Sequence, residues 1–180
     1  MKKVALTGFG VFGEHAKNPT EIIVTRLHEE GKENAKVVPV SYHRSYEEAR
    51  TLEGDILLMT GLAAGRKEIS LEKCAYNTMK ASIPDTDGVF YEGVPILEDG
   101  KDKEETTLKL EAILEMLQKE GIPSHISEDP GRYICNNIYY RALTDGRRPA
   151  LFVHIPDPKD LEIETSEKAI RLLVSFLEHL

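Results

Sequence analysis

Three scarcities bound what this chain can be. It has only two cysteines, Cys74 and Cys135, too few for a disulfide scaffold and without the spacing of a metal site, so no metal is expected. They leave room for one bridge, but a reduced, cytosolic protein is the simpler reading. Positive charge is also scarce: 23 Lys and Arg against 31 Asp and Glu leave a net charge of −8. With no basic run interleaved with aromatics, this argues against nucleic acid as a partner. No apolar stretch approaches the ~18 residues of a membrane span, so no membrane association is expected. Met1-Lys2-Lys3 before Val4-Ala5-Leu6 imitates a signal peptide. Thr7, Gly8, Gly10 and Gly13 interrupt that run and no convincing cleavage site follows, so a buried first strand is the better reading.

What is present is an ordinary globular composition, 41% hydrophobic and 30% charged over 180 residues, which suits a single domain spanning 1–180. Strands are expected at Val4 to Leu6, Lys36 to Val40, Asp55 to Met59, Glu68 to Asn77, Ser124 to Ser127 and Leu151 to His154. Asn18-Pro19-Thr20-Glu21 is a helix start with Asn18 as N-cap and Pro19 first inside. Ser45 with Glu48 resembles a capping box for a short helix to Leu52. Further helices are expected from Leu110 to an end at Gly121, from Cys135 to about Thr144, and from about Ser166. Residues 82–103 have no strong period and read as loop with room for a hairpin; the acids from Glu98 to Glu105 read as a solvated turn and helix start. Alternating strands and helices predict an α/β fold with a mostly parallel sheet covered on both faces, and ligands in such sheets bind beyond the carboxyl ends of the strands.

Two residues carry the chemistry. Cys135 follows Gly131 at the start of an apolar helical pattern, where unpaired N–H groups and the helix dipole favour a thiolate. His154 closes the apolar run from Pro149 to Val153, and a cysteine at a helix start with a histidine at a strand end makes a nucleophile and its base. The same pair also fits an inert buried thiol and a satisfied strand-end histidine. Glu72 lies in an alternating segment, where it is either a paired buried carboxylate or, more commonly, a solvent-facing strand residue. Arg66 is a rim charge or an anion or oxyanion donor. Cys74, expected on the strand and face of Glu72, reads as packing. His15, His28, His43, His125 and His179 read as surface or structural.

Gly8-Phe9-Gly10-Val11-Phe12-Gly13 matches the G-x-G-x-x-G dinucleotide pattern. However, no helix opens at Gly13 and the second strand ends in Val40-Ser41 without a ribose-binding acid, so cofactor binding is a distant alternative. Phe9 and Phe12 wall an apolar pocket or simply pack under the loop.

Read together, these stretches resemble the pyroglutamyl peptidase I (pyrrolidone-carboxylate peptidase) family of cysteine peptidases. The resemblance rests on Thr7-Gly8-Phe9 with Phe12-Gly13, Asn18-Pro19-Thr20, Gly61-Leu62-Ala63 through Gly65-Arg66, Ile69 through Glu72, and Asn77. It continues through Ile83-Pro84-Asp85, Gly121-Ile122-Pro123, Gly131, Tyr133, Cys135-Asn136 and His154-Ile155-Pro156, in family order. It implies an α/β/α sandwich, a triad of Cys135, His154 and Glu72 acting through an acyl-enzyme, and a pocket for the pyroglutamyl ring formed by Phe9, Phe12 and Ile83 with Arg66 beside it. It implies peptides with N-terminal pyroglutamate as substrates, no cofactor, and a homotetramer or dimer. The alternative is a homologue that binds a lactam or other cyclic metabolite without peptidase activity. The chain departs from the family at Val11, at Asp157 and in its shorter length. Glu128 and Asp129 before the cysteine helix would disfavour a thiolate if they faced it.

Overall fold

The computed structural model describes residues 1–14 and 17–180, so the reading of His15 lies outside the described residues. In chain order the elements are β1 (Val4–Phe9), α1 (Pro19–Glu29), β2 (Ala35–Val38), α2 (Ser45–Ala49), β3 (Ile56–Leu62), β4 (Ile69–Glu72), β5 (Cys74–Tyr76) and β6 (Met79–Lys80). There follow β7 (Glu92–Val94), β8 (Lys103–Glu105), α3 (Leu110–Lys119), β9 (Ser124–Ser127), α4 (Ile134–Asp145), β10 (Ala150–Ile155) and α5 (Ile163–Glu178).

Six strands form the central sheet in the order β2-β1-β3-β10-β4-β9. Every pairing is parallel except β10 with β4. The long central strands β1, β3 and β10 are buried along their whole length, as strands covered on both faces must be. Their alternate residues feed two separate cores. Leu6, Leu58 and Val153 pack with α1, α3 and α5, whereas Ala5, Met59 and Phe152 pack with α2 and α4. The result is the three-layer α/β/α sandwich with a mostly parallel sheet.

The stretch 68–77 is not one strand. β4 belongs to the central sheet, but after Lys73 the chain turns out of it, and β5 pairs antiparallel with β8 in a two-stranded ribbon. Apolar alternation continues across the bend although every residue of β4 is buried, so periodicity does not report the pairing partner. Cys74 therefore shares neither strand nor sheet with Glu72, and its thiol donates to the Glu128 carbonyl oxygen. The same ribbon corrects the acidic stretch, where Lys103–Glu105 is a strand. The expected hairpin in 82–103 is partly realised as β6 pairing with β7.

Asn18 caps α1 as expected, its Oδ1 accepting the Thr20 N–H at 3.0 Å. Ser45 does not cap α2; it is already inside the helix, with Arg44 at the cap position and its own hydroxyl unpaired. α2 is shorter than expected, and α5 begins three residues before Ser166.

Candidate active site

The chain leaves β1 to add β2 on one side and β3 on the other, so the crevice beyond the carboxyl ends of β1 and β3 is the topological switch point. Gly8, inside β1, serves packing. A Cβ on Gly8 would lie 2.6 Å from the Thr20 carbonyl oxygen, so α1 can sit against β1 only at a glycine. The Phe9 N–H donates to Thr20 Oγ1 at 3.0 Å and Asn18 Nδ2 donates to the Gly10 carbonyl oxygen at 3.2 Å. The first turn of α1 is thus closed by the chain's own groups.

Beyond β3 the strand register builds the centre. His154 on β10 lies opposite Gly61 on β3 and opposite Ser70 on β4. Its Nδ1 meets Glu72 Oε1 at 2.8 Å; Glu72 is fully buried and His154 is 4% exposed. The solvent-facing reading of Glu72 is overturned: in this mixed sheet its neighbours are β10 and β9, and its side chain points under α4. Cys135 is the second residue of α4, reached from Gly131 at φ 79°, a left-handed turn that a glycine makes without strain. A Cβ placed on Gly61 would lie 2.8 Å from Cys135 Sγ, so the thiol occupies the space left by that missing side chain, beside His154.

Two side chains seat α4. Asn136 pairs with both the N–H and the carbonyl of Tyr76, each at 2.8 Å, and Tyr139 Oη donates to the Glu72 carbonyl oxygen at 2.7 Å. Helix α4 is therefore fastened to the backbone of the strand that carries Glu72.

The electrostatics correct one expectation. Although the Cys135 surface reaches solvent, the thiol sits deep enough that burial, reinforced by the Glu72 carboxylate, pushes it up to about 12. Its own backbone N–H and Arg66 pull the other way without prevailing. Burial likewise lowers His154 despite Glu72. Burial works against the Glu72 charge too, but the His154 hydrogen bond, Ser127 and Arg66 hold its carboxyl below the usual range. The resting pair is a neutral thiol beside a neutral imidazole, and the helix start alone does not produce a thiolate, because desolvation outweighs one turn of dipole. Alkylation of Cys135 by iodoacetamide, followed by peptide mapping of the free protein, should be slow near pH 7 and still climbing at about pH 9. A plateau below about pH 7 would instead reveal a resting thiolate–imidazolium pair.

The acids before α4 do not face the thiol. Glu128 pairs with Lys73, and Asp129 accepts from Arg132 and from the Gly131 N–H.

Of the expected pocket residues, Phe12 is half-buried with its ring 6.2 Å from that of Tyr133, and Ile83 is 44% exposed with Cδ1 3.7 Å from where a Gly13 Cβ would stand. Phe9 is 3% exposed and packs against Phe152 beneath the loop, because β1 extends to include it. The Arg66 guanidinium donates to Glu72 and to the Asp129 carbonyl oxygen, both at 2.6 Å. Gly61 and Tyr133 went unassigned on sequence, although both stand in the quoted motifs; a glycine chosen for the space it leaves has no periodic signature.

Comparison with known proteins agrees with this architecture. The family profile described as pyroglutamyl peptidase matches residues 2–170. A pyrrolidone-carboxylate peptidase of Bacillus cytotoxicus is 32% identical, over 96% of this chain and 86% of its own. The crystal structure of pyrrolidone carboxyl peptidase from Fervidobacterium islandicum superposes with a TM-score of 0.88 at 35% identity, covering 98% of both chains. That of pyroglutamyl peptidase I from Bacillus amyloliquefaciens gives 0.87 at 31% identity, over 97% of this chain and 93% of that one. With the profile spanning nearly the whole sequence and the fold reproduced throughout, this chain belongs to the pyroglutamyl peptidase family.

Proposed function

We propose that the protein removes N-terminal pyroglutamate from peptides by a Cys135–His154–Glu72 triad, with residues 1–180 working as one peptidase domain. The observation that carries this reading is the buried 2.8 Å contact of Glu72 Oε1 with His154 Nδ1, next to a thiol lodged over Gly61. With Nδ1 committed to the carboxylate, Nε2 is the nitrogen left to exchange protons. Cys135 Sγ attacks the carbonyl carbon of the pyroglutamyl residue as its proton passes to Nε2. The N–H groups of the first turn of α4, unpaired within the helix, supply donors for the oxyanion. Collapse breaks the C–N bond, His154 protonates the departing amine, and a thioester remains. Water, deprotonated by His154, then releases pyroglutamate. Glu72 supports the imidazolium in both steps, so a neutral resting pair suffices: the ion pair need exist only during attack.

Phe12, Tyr133 and Ile83 offer apolar surface for a neutral lactam ring. An ordinary N-terminal ammonium would have to be desolvated there at a cost of several kcal/mol. Proline carries that ammonium and lacks the ring carbonyl, leaving any donor for it unpaired at about 1–3 kcal/mol more. Pyroglutamyl amides should therefore exceed prolyl and glutaminyl amides in kcat/KM by at least ~100-fold. Comparable values for the three would end the lactam-pocket reading. Binding of pyroglutamate without cleavage of any amide would favour the non-peptidase alternative.

A further inference from the structure

Arg66 takes no part in the reaction above, yet it meets the centre at several points. Its Nη1 donates to Glu72 Oε1 at 2.6 Å, the same oxygen that meets His154 Nδ1, while the buried Oε2 has no hydrogen-bond partner among the described residues. Nη1 also reaches Ser127 Oγ at 3.4 Å, and Nη2 donates to the Asp129 carbonyl oxygen at 2.6 Å. One guanidinium thereby joins the carboxylate on β4 to the end of β9 and to the segment entering α4. A carboxylate with one crowded and one idle oxygen is free to turn, because its terminal torsion is broad. A planar, two-point grip opposes that turning in a way an ammonium cannot.

We propose that Arg66 is a positioning residue of this centre: held between Glu72 and Asp129, it keeps Oε1 under His154 Nδ1 and sets a fixed positive charge against the shared carboxylate. This rests on the Cys135–His154–Glu72 reading. The charged or titratable groups around His154 are Glu72 from β4, Cys135 from α4 and Arg66 itself; across Ser70 lie His125 and its neighbour Glu68, and beyond Arg66 lies Asp129. The positive charge of Arg66 lowers the proton affinity of both His154 and Cys135. Its removal therefore raises both, and the acidic and basic limbs of kcat/KM should move together toward higher pH.

The test compares wild type with Arg66→Gln, Arg66→Lys and Arg66→Ala on a fluorogenic pyroglutamyl amide, with the His154 imidazole titrated in parallel by NMR. Arg66→Gln should shift both limbs and the NMR titration upward by about half to one pH unit, with kcat at least tenfold lower. Arg66→Lys should keep the limbs near their wild-type positions but lower kcat, since it keeps the charge and loses the fork. Millimolar guanidinium should restore part of the Arg66→Ala activity and none to Cys135→Ser. A fall in kcat with unmoved limbs, an unmoved NMR titration and no rescue would overturn the proposal and leave Arg66 a structural tie. If Arg66→Gln does not fold, Arg66→Lys and the guanidinium rescue still decide: wild-type kcat in the lysine variant, or no rescue of Arg66→Ala, refutes the positioning role. A wild-type protein that cleaves no pyroglutamyl amide would sink the reaction reading instead, while the NMR titration still reports on Arg66.

Discussion

Replacing Cys135 with serine should lower turnover of a pyroglutamyl amide by at least ~10⁴-fold, the scale seen when a nucleophile is removed from a coupled triad. The thiol sits over Gly61, the residue paired with His154, and a hydroxyl there would have to lose its proton in the same desolvated space that already pushes the thiol up to about 12. Cys74→Ala should keep most of the activity. That thiol is buried in the β5–β8 ribbon, raised by desolvation, and engaged with the Glu128 carbonyl oxygen. Steady-state rates for the two variants, with circular dichroism to verify folding, decide the matter. A folded Cys74→Ala protein without activity, or an active Cys135→Ser protein, would reverse the assignment.

The second large effect is expected at a residue with no side chain. In Gly61→Ala the new methyl would stand 2.8 Å from Cys135 Sγ and 2.8 Å from Phe152 Cζ, closer than carbon atoms tolerate. Phe152 cannot yield easily, because its ring is packed against Phe9, Tyr139 and His154. The thiol must move, and a displacement of about 1 Å at a reacting atom costs on the order of 100-fold. The expectation is a drop in kcat of at least ~100-fold with a stability loss of about 1–3 kcal/mol, as for other overpacked sites. Thermal melting and kcat measured on one preparation separate the two. Activity within about threefold of wild type would show that the thiol does not work from the position over Gly61.

How much of this was legible in the chain follows from what each signal depends on. The helix start at Asn18, the buried strands β1, β3 and β10, and the mostly parallel sheet depend on local pattern: cap chemistry, apolar runs, and the alternation of strand with helix. They could be read residue by residue, as could the pairing of a cysteine at a helix start with a histidine at a strand end. Family motifs in order added Glu72 and a pocket.

Other features depend on which strand lies beside which, and no local pattern carries that. The placement of β4 between β10 and β9 buries Glu72 against His154 and turns Arg66 from a rim charge into a carboxylate's clamp. The bend at Lys73 takes Cys74 out of the sheet although the apolar alternation runs on unbroken. Phe9 goes under the loop because β1 continues one turn of pleat further than its apolar run, and Gly61 matters only because α4 lowers a thiol onto it. The sequence alone thus determined the layers and the chemical groups of the centre, since propensity and periodicity act over a few neighbouring residues. Which oxygen meets which nitrogen, and whether the thiol rests charged, was decided by tertiary structure, because desolvation and hydrogen-bond geometry depend on residues up to 82 positions apart in the chain.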